Sequence, residues 1–170
     1  MNEMTQFQLF FIENDVMLRL SSFVILLFIL MGLQKFWPRR LSEQASSCRH
    51  VNNILLSLIN IIAVRLLVPL ALFDAAIYTS KNNIGFLNLV EMPFSIDILL
   101  TLIIFDLLIY TQHVITHKIN FLWRIHRIHH IDQEIDVTTG IRFHPFEIVL
   151  SAFYKILAVI LIGPTAFAII

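Results

Sequence analysis

A histidine-rich stretch in the second half of the chain reads His113-Val-Ile-Thr-His117-Lys-Ile-Asn-Phe-Leu-Trp-Arg-Ile-His126-Arg-Ile-His129-His130. Six of the seven histidines lie between positions 113 and 144. Residues three or four apart share a face of a helix, so His113 and His117 lie on one face. The same spacing puts His126, His129 and His130 on one face of a second helical segment. Two such faces turned towards each other would bring five imidazoles together.

This histidine pattern predicts a metal site. Neutral imidazole is the commonest protein metal ligand and suits iron, zinc, copper and nickel. A single pair of histidines at helical spacing also occurs by chance or at a membrane interface, but a pair followed by a triad is more specific. Five close imidazoles without a metal would leave polar nitrogens in need of other partners in a poorly hydrated site.

The composition of the chain is that of a membrane protein. Of the 170 residues, 58% are hydrophobic and 14% are charged, and the mean hydropathy is +0.80. Soluble domains are less apolar and more charged. The formal net charge is zero, so no nucleic-acid partner is expected. The single cysteine, Cys48, excludes an internal disulfide.

Four apolar runs are long enough to cross a bilayer, or to enter it part-way, since a crossing takes about 20 residues. They are Leu20–Phe36, Ile54–Tyr78, Phe94–Gln112 and Phe146–Ile170. The sequence therefore predicts an all-α fold, an integral membrane helical bundle of about four spanning or half-spanning helices with a cytoplasmic His-rich cap. Residues 1–170 are predicted to form a single membrane domain.

Polar and helix-breaking residues interrupt these runs. The second run contains Arg65, Pro69 and Asp74. A charge inside a span usually faces a partner or a watery cavity, so Arg65 is predicted to form an ion pair or to contact a polar substrate group. Gly163-Pro164 divides the fourth run, either as a kink in one span or as the boundary of two half-crossing helices. The connecting segments are a predicted loop at 39–53 and a predicted loop with a short interfacial helix at 79–93.

Basic residues are concentrated on one side of the predicted spans. The other side has only Arg19 and Lys81 next to several acidic residues. Because basic residues favour the cytoplasmic side of a membrane, the N-terminus is predicted outside and the His cluster inside. The predicted location is a bacterial inner membrane or the endoplasmic reticulum. The basic side carries Lys35, Arg39, Arg40, Arg49, Lys118, Arg124, Arg127, Arg142 and Lys155.

A series of short motifs surrounds the histidines. They are HxxxH at 113–117, a short link with Leu122-Trp123, HxxHH at 126–130, Thr138-Thr139-Gly140, and Arg142-Phe143-His144-Pro145-Phe146-Glu147. The approach segment Asp106-Leu-Leu-Ile-Tyr110-Thr-Gln-His113 precedes them. Together, these segments resemble the fatty acid hydroxylase / sterol desaturase superfamily. The similarity runs from about Arg49 to Ser151 and corresponds to the N-terminal part of the family domain.

The resemblance implies a membrane-embedded non-haem di-iron oxygenase that hydroxylates or desaturates a lipid or sterol-like C–H bond with O2. It implies no catalytic residue separate from the metal ligands. The chain has no nucleotide-binding motif, so electrons are expected from an external reductase. The implied iron ligands are His113, His117, His126, His129 and His130, with His144 as a further ligand or an orienting residue.

Four carboxylates near the histidines are candidates for hydrogen bonds to imidazole N–H groups, which orient metal-bound rings. Asp106 and Glu147 are expected to accept such bonds. Asp132 and Asp136 are expected instead to be solvated or to cap helices.

The number of imidazoles limits the predicted site. Two octahedral irons have more coordination positions than six imidazoles fill, so at most about one metal is expected per chain. The family has further histidines beyond the position of Ile170, and the sequence ends within apolar residues. We therefore expect an incomplete form, whose di-iron centre a second polypeptide or a dimer would complete. The alternative function is a non-catalytic metal- or haem-binding membrane protein or partner subunit.

Overall fold

The computed structural model describes residues 6–38, 46–68, 70–132 and 134–169. These residues form helices and turns and contain no β-strand. The predicted all-α fold is confirmed. The helices are α1 (Gln6–Glu13), α2 (Asp15–Phe36), α3 (Ser46–Leu67), α4 (Leu72–Lys81), α5 (Phe94–Lys118), α6 (Asn120–His126), α7 (Pro145–Ile162) and α8 (Ala166–Ile169), with 3-10 helices at Phe86–Leu89 and Val137–Ile141.

Four helical segments are long and apolar enough to cross a membrane. They are α2, a segment within Cys48–Leu89, α5 and α7. No side chain of α2 is buried, and its exposed residues are mainly leucine, isoleucine and phenylalanine. A helix that is apolar on all sides and is not buried in protein is suited to lipid. The predicted number of about four membrane-length helices is confirmed.

The second apolar run differs from its prediction at both ends. α3 begins at Ser46, so the predicted loop at 39–53 is helical from residue 46 onwards, and residues 39–45 lie outside the described residues. The run is also not continuous, because α3 ends at Leu67 and α4 begins at Leu72. In the sequence, Pro69, which is outside the described residues, falls between these two helices. Proline has no N–H group for the helical hydrogen bond and disfavours helix in the residue before it.

The fourth apolar run contains one span followed by a short helix. α7 covers 18 residues, and α8 covers four residues after the break. Gly163 at the break has a φ of 68°, which glycine adopts without the strain that a side chain would cause. α7 alone is long and apolar enough to cross a membrane, so the part of the run before Gly163 is a full-length span rather than a half-crossing helix.

Arg65 lies in the last turn of α3 and is exposed. No carboxylate in the described part of the chain forms an ion pair with it, so the predicted ion pair is not found there. Near a helix end, a long arginine side chain can reach the membrane surface while its methylene groups stay in apolar surroundings.

The chain divides into two compact units. The predicted single membrane domain stays a prediction. Unit 1 comprises Met1–Ser21, Pro69–Gln112 and Ala152–Ile170, and unit 2 comprises Ser22–Val68 and His113–Ser151.

Unit 2 is joined by hydrogen bonds between α3 and the segment before α7. The Asn53 side chain donates to the Thr138 hydroxyl (2.9 Å), and the Asn60 side chain donates to the Phe143 carbonyl (2.9 Å). Both asparagines are buried. These partners explain how α3 accommodates buried asparagines, because their side chains bond to another part of the chain rather than to water.

Unit 1 contains a close approach of two backbone segments. Gly85 has a φ of 97°, and a Cβ atom added to it would lie 2.4 Å from the Gly163 nitrogen. Only glycine at both positions permits this distance. Small residues are also buried on α4 and α7, among them Ala75, Ala76 and Ala158.

Candidate metal centre

Two helices in sequence bring histidines to the site in unit 2. α5 is helical to its end at Lys118, so His113 and His117 lie one above the other in its last turns. Ile119 has an extended backbone (φ −94°, ψ 115°) and separates α5 from α6. This single non-helical residue changes the direction of the chain, so that α6 does not continue the course of α5.

The second histidine motif is not on one helix. α6 ends at His126, and the following residues form turns. The His129 N–H donates to the His126 carbonyl (2.9 Å), and the His130 N–H donates to the Arg127 carbonyl (3.0 Å). Bonds between residues three apart belong to a tighter turn than the α-helix. The predicted common helical face is therefore wrong for this motif.

Four imidazoles converge in unit 2. One nitrogen from each ring lies within 4.8 Å of the corresponding nitrogen of every other ring. Ring centroids of His117 lie 4.9 Å from His126 and 4.8 Å from His130, so the two sequence motifs face each other. The four residues are His113, His117, His126 and His130.

The spacing of these nitrogens fits a single metal ion. The Nε2 atoms of His113 and His117 are 3.2 Å apart, and so are those of His126 and His130. Two nitrogens that each lie about 2.1 Å from one ion are roughly 3.0 to 3.4 Å apart at octahedral or tetrahedral angles. The same spacing also suits a hydrogen bond between two neutral rings. Four nitrogen donors are appropriate for iron or zinc.

His126 is the most enclosed of the four, with 1% of its surface exposed. Its Nδ1 lies 2.6 Å from Oε1 of Glu147, in the first turn of α7. An Nδ1–H that donates to the carboxylate leaves the Nε2 lone pair for a metal and holds the ring in one orientation. The predicted role of Glu147 as an acceptor is confirmed.

The site favours neutral imidazoles. Burial, followed by repulsion from His117 and His129, lowers the pKa of His126 to about 4. Burial and the neighbouring histidines also lower the pKa of His130. Neutral imidazole is the form that binds a metal, so these rings need not lose a proton before binding at physiological pH.

The site lies within a segment similar to a known family. Residues 98–170 match the family model of the fatty acid hydroxylases. The predicted resemblance is confirmed. No curated protein and no solved structure matches the chain. The matched segment contains all six histidines predicted as ligands, and the match to this family implies a hydroxylase-type enzyme. Together with the four apolar helices, it indicates an integral membrane protein.

His129 is placed differently from the four converging residues. Its ring is stacked on Phe143, with centroids 4.6 Å apart and planes inclined by 6°. Its Nδ1 lies 3.2 Å from the Arg142 carbonyl, to which Nδ1–H donates. These contacts bind the turn after α6 to the segment before α7. His129 therefore holds two segments of the chain together, although its spacing in the sequence is that of a metal ligand.

His144 is also outside the four-histidine cluster. Its Nδ1 accepts a hydrogen bond from the Phe146 N–H (3.1 Å). That N–H belongs to the first turn of α7, where no helical carbonyl is available to it. His50, which is not a predicted ligand, lies 3.4 Å from Asp136.

Arg142 has a role that the sequence did not predict. Its guanidinium group is buried and forms an ion pair with Asp132. It also donates to the His129 carbonyl (3.3 Å) and the Asn53 side chain (3.4 Å). One side chain thus connects the turn after α6 with α3. In the sequence, Arg142 belongs to a motif and to the basic residues of one membrane side. Its burial depends on Asn53 and Asp132, which lie 89 and 10 positions away in the chain.

The remaining carboxylates have different surroundings. Asp136 caps the second 3-10 helix by accepting from the Thr139 N–H (3.0 Å), so its expected capping role is confirmed. Its Oδ2 also lies 2.8 Å from Arg49 Nε. Asp106 is exposed, and the structure gives it no hydrogen bond among the described residues. The expected imidazole contact of Asp106 is therefore not found.

Trp123 lies beside the four-histidine cluster. Its ring centroid is 5.1 Å from that of His117 and 5.8 Å from that of His130. Its position on α6, three residues before His126, places it on the same side of that helix. In the sequence Trp123 is part of the link between the two histidine motifs, and in the structure it covers one side of the cluster.

Proposed function

We propose that this chain is an iron-dependent membrane oxidoreductase of the lipid hydroxylase or desaturase type. The observation that carries the proposal is the convergence of four imidazoles inside the segment that matches the fatty acid hydroxylase family. Acid–base side chains do not break an unactivated C–H bond, and such chemistry needs a metal or cofactor that handles O2. Iron bound at the cluster would supply that chemistry.

The residues of the site have distinct proposed roles. His113, His117, His126 and His130 would hold the metal through their Nε2 atoms. Glu147 would orient His126 and increase the basicity of its ring. His129 and His144 would support the turn after α6 and the start of α7 and are not proposed as ligands. The substrate would be a membrane lipid, with O2 as co-substrate and electrons from an external reductase.

The donor count favours one metal ion at this cluster. Four nitrogens occupy four of the roughly six positions of an octahedral ion and leave room for O2 or water. A second iron would need further donors, from another polypeptide or from a second copy of the chain. We therefore propose at most about one metal for the four histidines.

The same donor count supports an alternative function. Four protein ligands around a single tetrahedral ion form a closed site, which is typical of structural zinc. A chain of this kind would be a non-catalytic metal-binding membrane protein or partner subunit. Metal identity and lipid turnover distinguish the two proposals.

Metal analysis of the purified protein tests the ligand assignment. His126→Ala and His130→Ala should each remove most of the bound iron, since each removes one of four donors and adds a cavity. His50→Ala and His144→Ala are matched controls and should retain it. Equal iron loss in all four variants would contradict the assignment.

Turnover tests the reaction class. Iron-loaded protein supplied with a reductase, O2 and a total lipid extract should give hydroxylated or desaturated lipid, detected by mass spectrometry. A protein that binds zinc in preference to iron, and that leaves every lipid unchanged, would support the alternative.

We also propose that the cluster faces the cytoplasm, on the basis of the distribution of basic residues. The native Cys48 is free and exposed and precedes Arg49, which pairs with Asp136 in unit 2. A membrane-impermeant maleimide should label it in inside-out vesicles but not in intact cells. Lys81→Cys in a Cys48→Ser background is the control and should be labelled from outside. Labelling of Cys48 in intact cells would overturn the orientation.

A further inference from the structure

A connecting segment, residues 119–144, lies between two membrane-length helices. It follows α5, which ends at Lys118, and it precedes α7, which begins at Pro145. The 25 residues of α5 extend about 37 Å at 1.5 Å per residue, whereas the hydrocarbon core of a bilayer is about 30 Å thick. The end of α5 therefore reaches the headgroup layer, and the connecting segment begins there.

The first part of this segment exposes basic side chains without acidic neighbours. Lys118, Arg124 and Arg127 are exposed. None of them forms an ion pair with a carboxylate in the described part of the chain. The sequence has no aspartate or glutamate at positions 107–131. The segment therefore presents positive charges that no neighbouring acidic residue compensates.

The outward side of α6 combines a basic with an apolar residue. Phe121, three residues before Arg124, is 62% exposed. Helical spacing places these two side chains next to each other, on the side of α6 that faces away from the buried His126. A short helix that presents basic and aromatic side chains together is suited to the interface between headgroups and acyl chains.

The loop after α6 has the reverse of the arrangement that water favours. Its carboxylates, Asp132 and Glu134, pair with arginines of unit 2. Its isoleucines are turned outwards, since Ile131 is 69% exposed and Ile135 is 87% exposed. A loop that occupies its charges internally and presents its largest apolar side chains is suited to apolar surroundings.

We propose that the connecting segment lies in the headgroup layer and binds anionic phospholipids of the adjoining leaflet. Their phosphates pair with Lys118, Arg124 and Arg127. The exposed isoleucines of the loop contact the adjoining acyl chains. An acidic soluble protein would have to displace the lipid that already adjoins both ends of the segment, so lipid is favoured. The proposal concerns headgroup charge at the protein surface and does not depend on the oxidised substrate or on a metal.

Lipid-selective quenching of Trp123 tests the preference for anionic lipid. Trp37→Phe removes an exposed side chain and leaves Trp123 as the single tryptophan. The protein is placed in nanodiscs with equal amounts of phosphatidylglycerol and phosphatidylcholine, and bromine is on one lipid or on the other. Brominated phosphatidylglycerol should quench at least about twice as strongly, because attraction raises its local concentration.

Two outcomes of this comparison would overturn the proposal. Equal quenching by the two brominated lipids would leave the basic residues for an acidic protein. A preference that persists unchanged in about 1 M NaCl would show that charge does not cause it, since the Debye length is then about 3 Å.

Substitution of the arginines tests the residues. The double variant Arg124→Gln, Arg127→Gln, in the Trp37→Phe background, should lose most of the preference, whereas Arg124→Lys, Arg127→Lys should keep it. Lys81→Gln is the control, because it removes an exposed lysine outside the segment, and it should have no effect. An unchanged preference in the glutamine variant would overturn the proposal. If that variant does not fold, the comparison of the two brominated lipids decides.

A fluorophore at position 135 tests the apolar contact. Ile135→Cys in a Cys48→Ser background provides a single labelling site. A nitroxide on the acyl chain of phosphatidylcholine should quench the label more strongly than a neutral nitroxide in water, because the side chain adjoins the acyl chains. Stronger quenching from the water would contradict this part of the proposal.

Discussion

The two units differ in what they bury. The buried side chains of unit 2 are almost all polar and form hydrogen bonds within that unit, whereas those of unit 1 are mostly small or apolar. Unit 2 buries Asn53, Asn60, Thr116, His126, Asp136, Thr138, Thr139 and Arg142, and unit 1 buries Ala75, Ala76, Leu87, Ile156, Ala158 and Val159 together with Thr79, Asp97 and Thr101.

This difference corresponds to two ways of holding helices together. In lipid, small residues allow close backbone approach, and van der Waals contact then stabilises the packing. The Gly85–Gly163 contact of unit 1 is of this kind. Directional polar contacts also fix orientation, which a metal site requires of its ligands. Unit 2, which holds the four histidines, uses such contacts.

The largest effect is expected from breaking the polar network of unit 2. Arg142→Met leaves Asp132 and the His129 carbonyl without their partner. Removing one member of a buried ion pair typically costs about 3–5 kcal/mol of unfolding free energy. Denaturant titration of the detergent-solubilised protein measures it. Arg127→Met is the control, because it removes an exposed arginine, and it should change the unfolding free energy by less than about 0.5 kcal/mol. Equal losses of stability in both variants would show that the polar contacts of Arg142 do not stabilise unit 2.

The second effect concerns the backbone contact of unit 1. Gly85→Ala forces a side chain into a φ of 97° and towards the Gly163 nitrogen, and such strain costs about 1–3 kcal/mol before any steric shift. The thermal midpoint should fall accordingly. Gly140→Ala is the matched control, since its added Cβ meets nothing within 4 Å. If the thermal midpoint of Gly85→Ala equals that of the control, the close contact between the Gly85 and Gly163 backbones does not stabilise the protein.

A smaller effect is expected on metal affinity. Glu147→Gln preserves the size of the side chain but removes the charge that orients His126, and it should weaken Co2+ or Zn2+ binding about tenfold. Titration followed by the Co2+ absorption spectrum measures affinity and ligand field together. Asp106→Asn, on an exposed carboxylate, should leave both unchanged. If Asp106→Asn has the larger effect, the orienting residue has been misassigned.

The smallest effect on stability is expected from the protonation of Asp136 at low pH. Burial alone would raise the pKa of Asp136, but hydrogen bonds from Thr138 and Thr139 and the charges of Arg49 and His50 outweigh it and lower the pKa. Its stabilising contribution is therefore complete above the ordinary aspartate pKa of 3.8 and is lost as the pH falls through the lowered value. Asp136→Asn should flatten the acid end of the stability curve. If stability falls at low pH in Asp136→Asn as it does in the unaltered protein, protonation of Asp136 does not cause the loss.

Several features of the fold and site could be predicted from the sequence because they depend on local spacing. Apolar length gave the membrane helices, and helical spacing paired His113 with His117 on α5. Each prediction rests on residues within one helix or one motif, where periodicity alone determines which side chains are neighbours.

Only the tertiary structure decided how the second histidine motif is divided. The sequence spacing puts His126, His129 and His130 on one face, but the chain leaves the α-helix after His126. His129 then stacks on Phe143, and Arg142 binds the carbonyl of the same turn. Those partners lie 13 or more positions further along the chain. Helical periodicity describes neighbours within a turn or two, so contacts of this range depend on how the chain folds back.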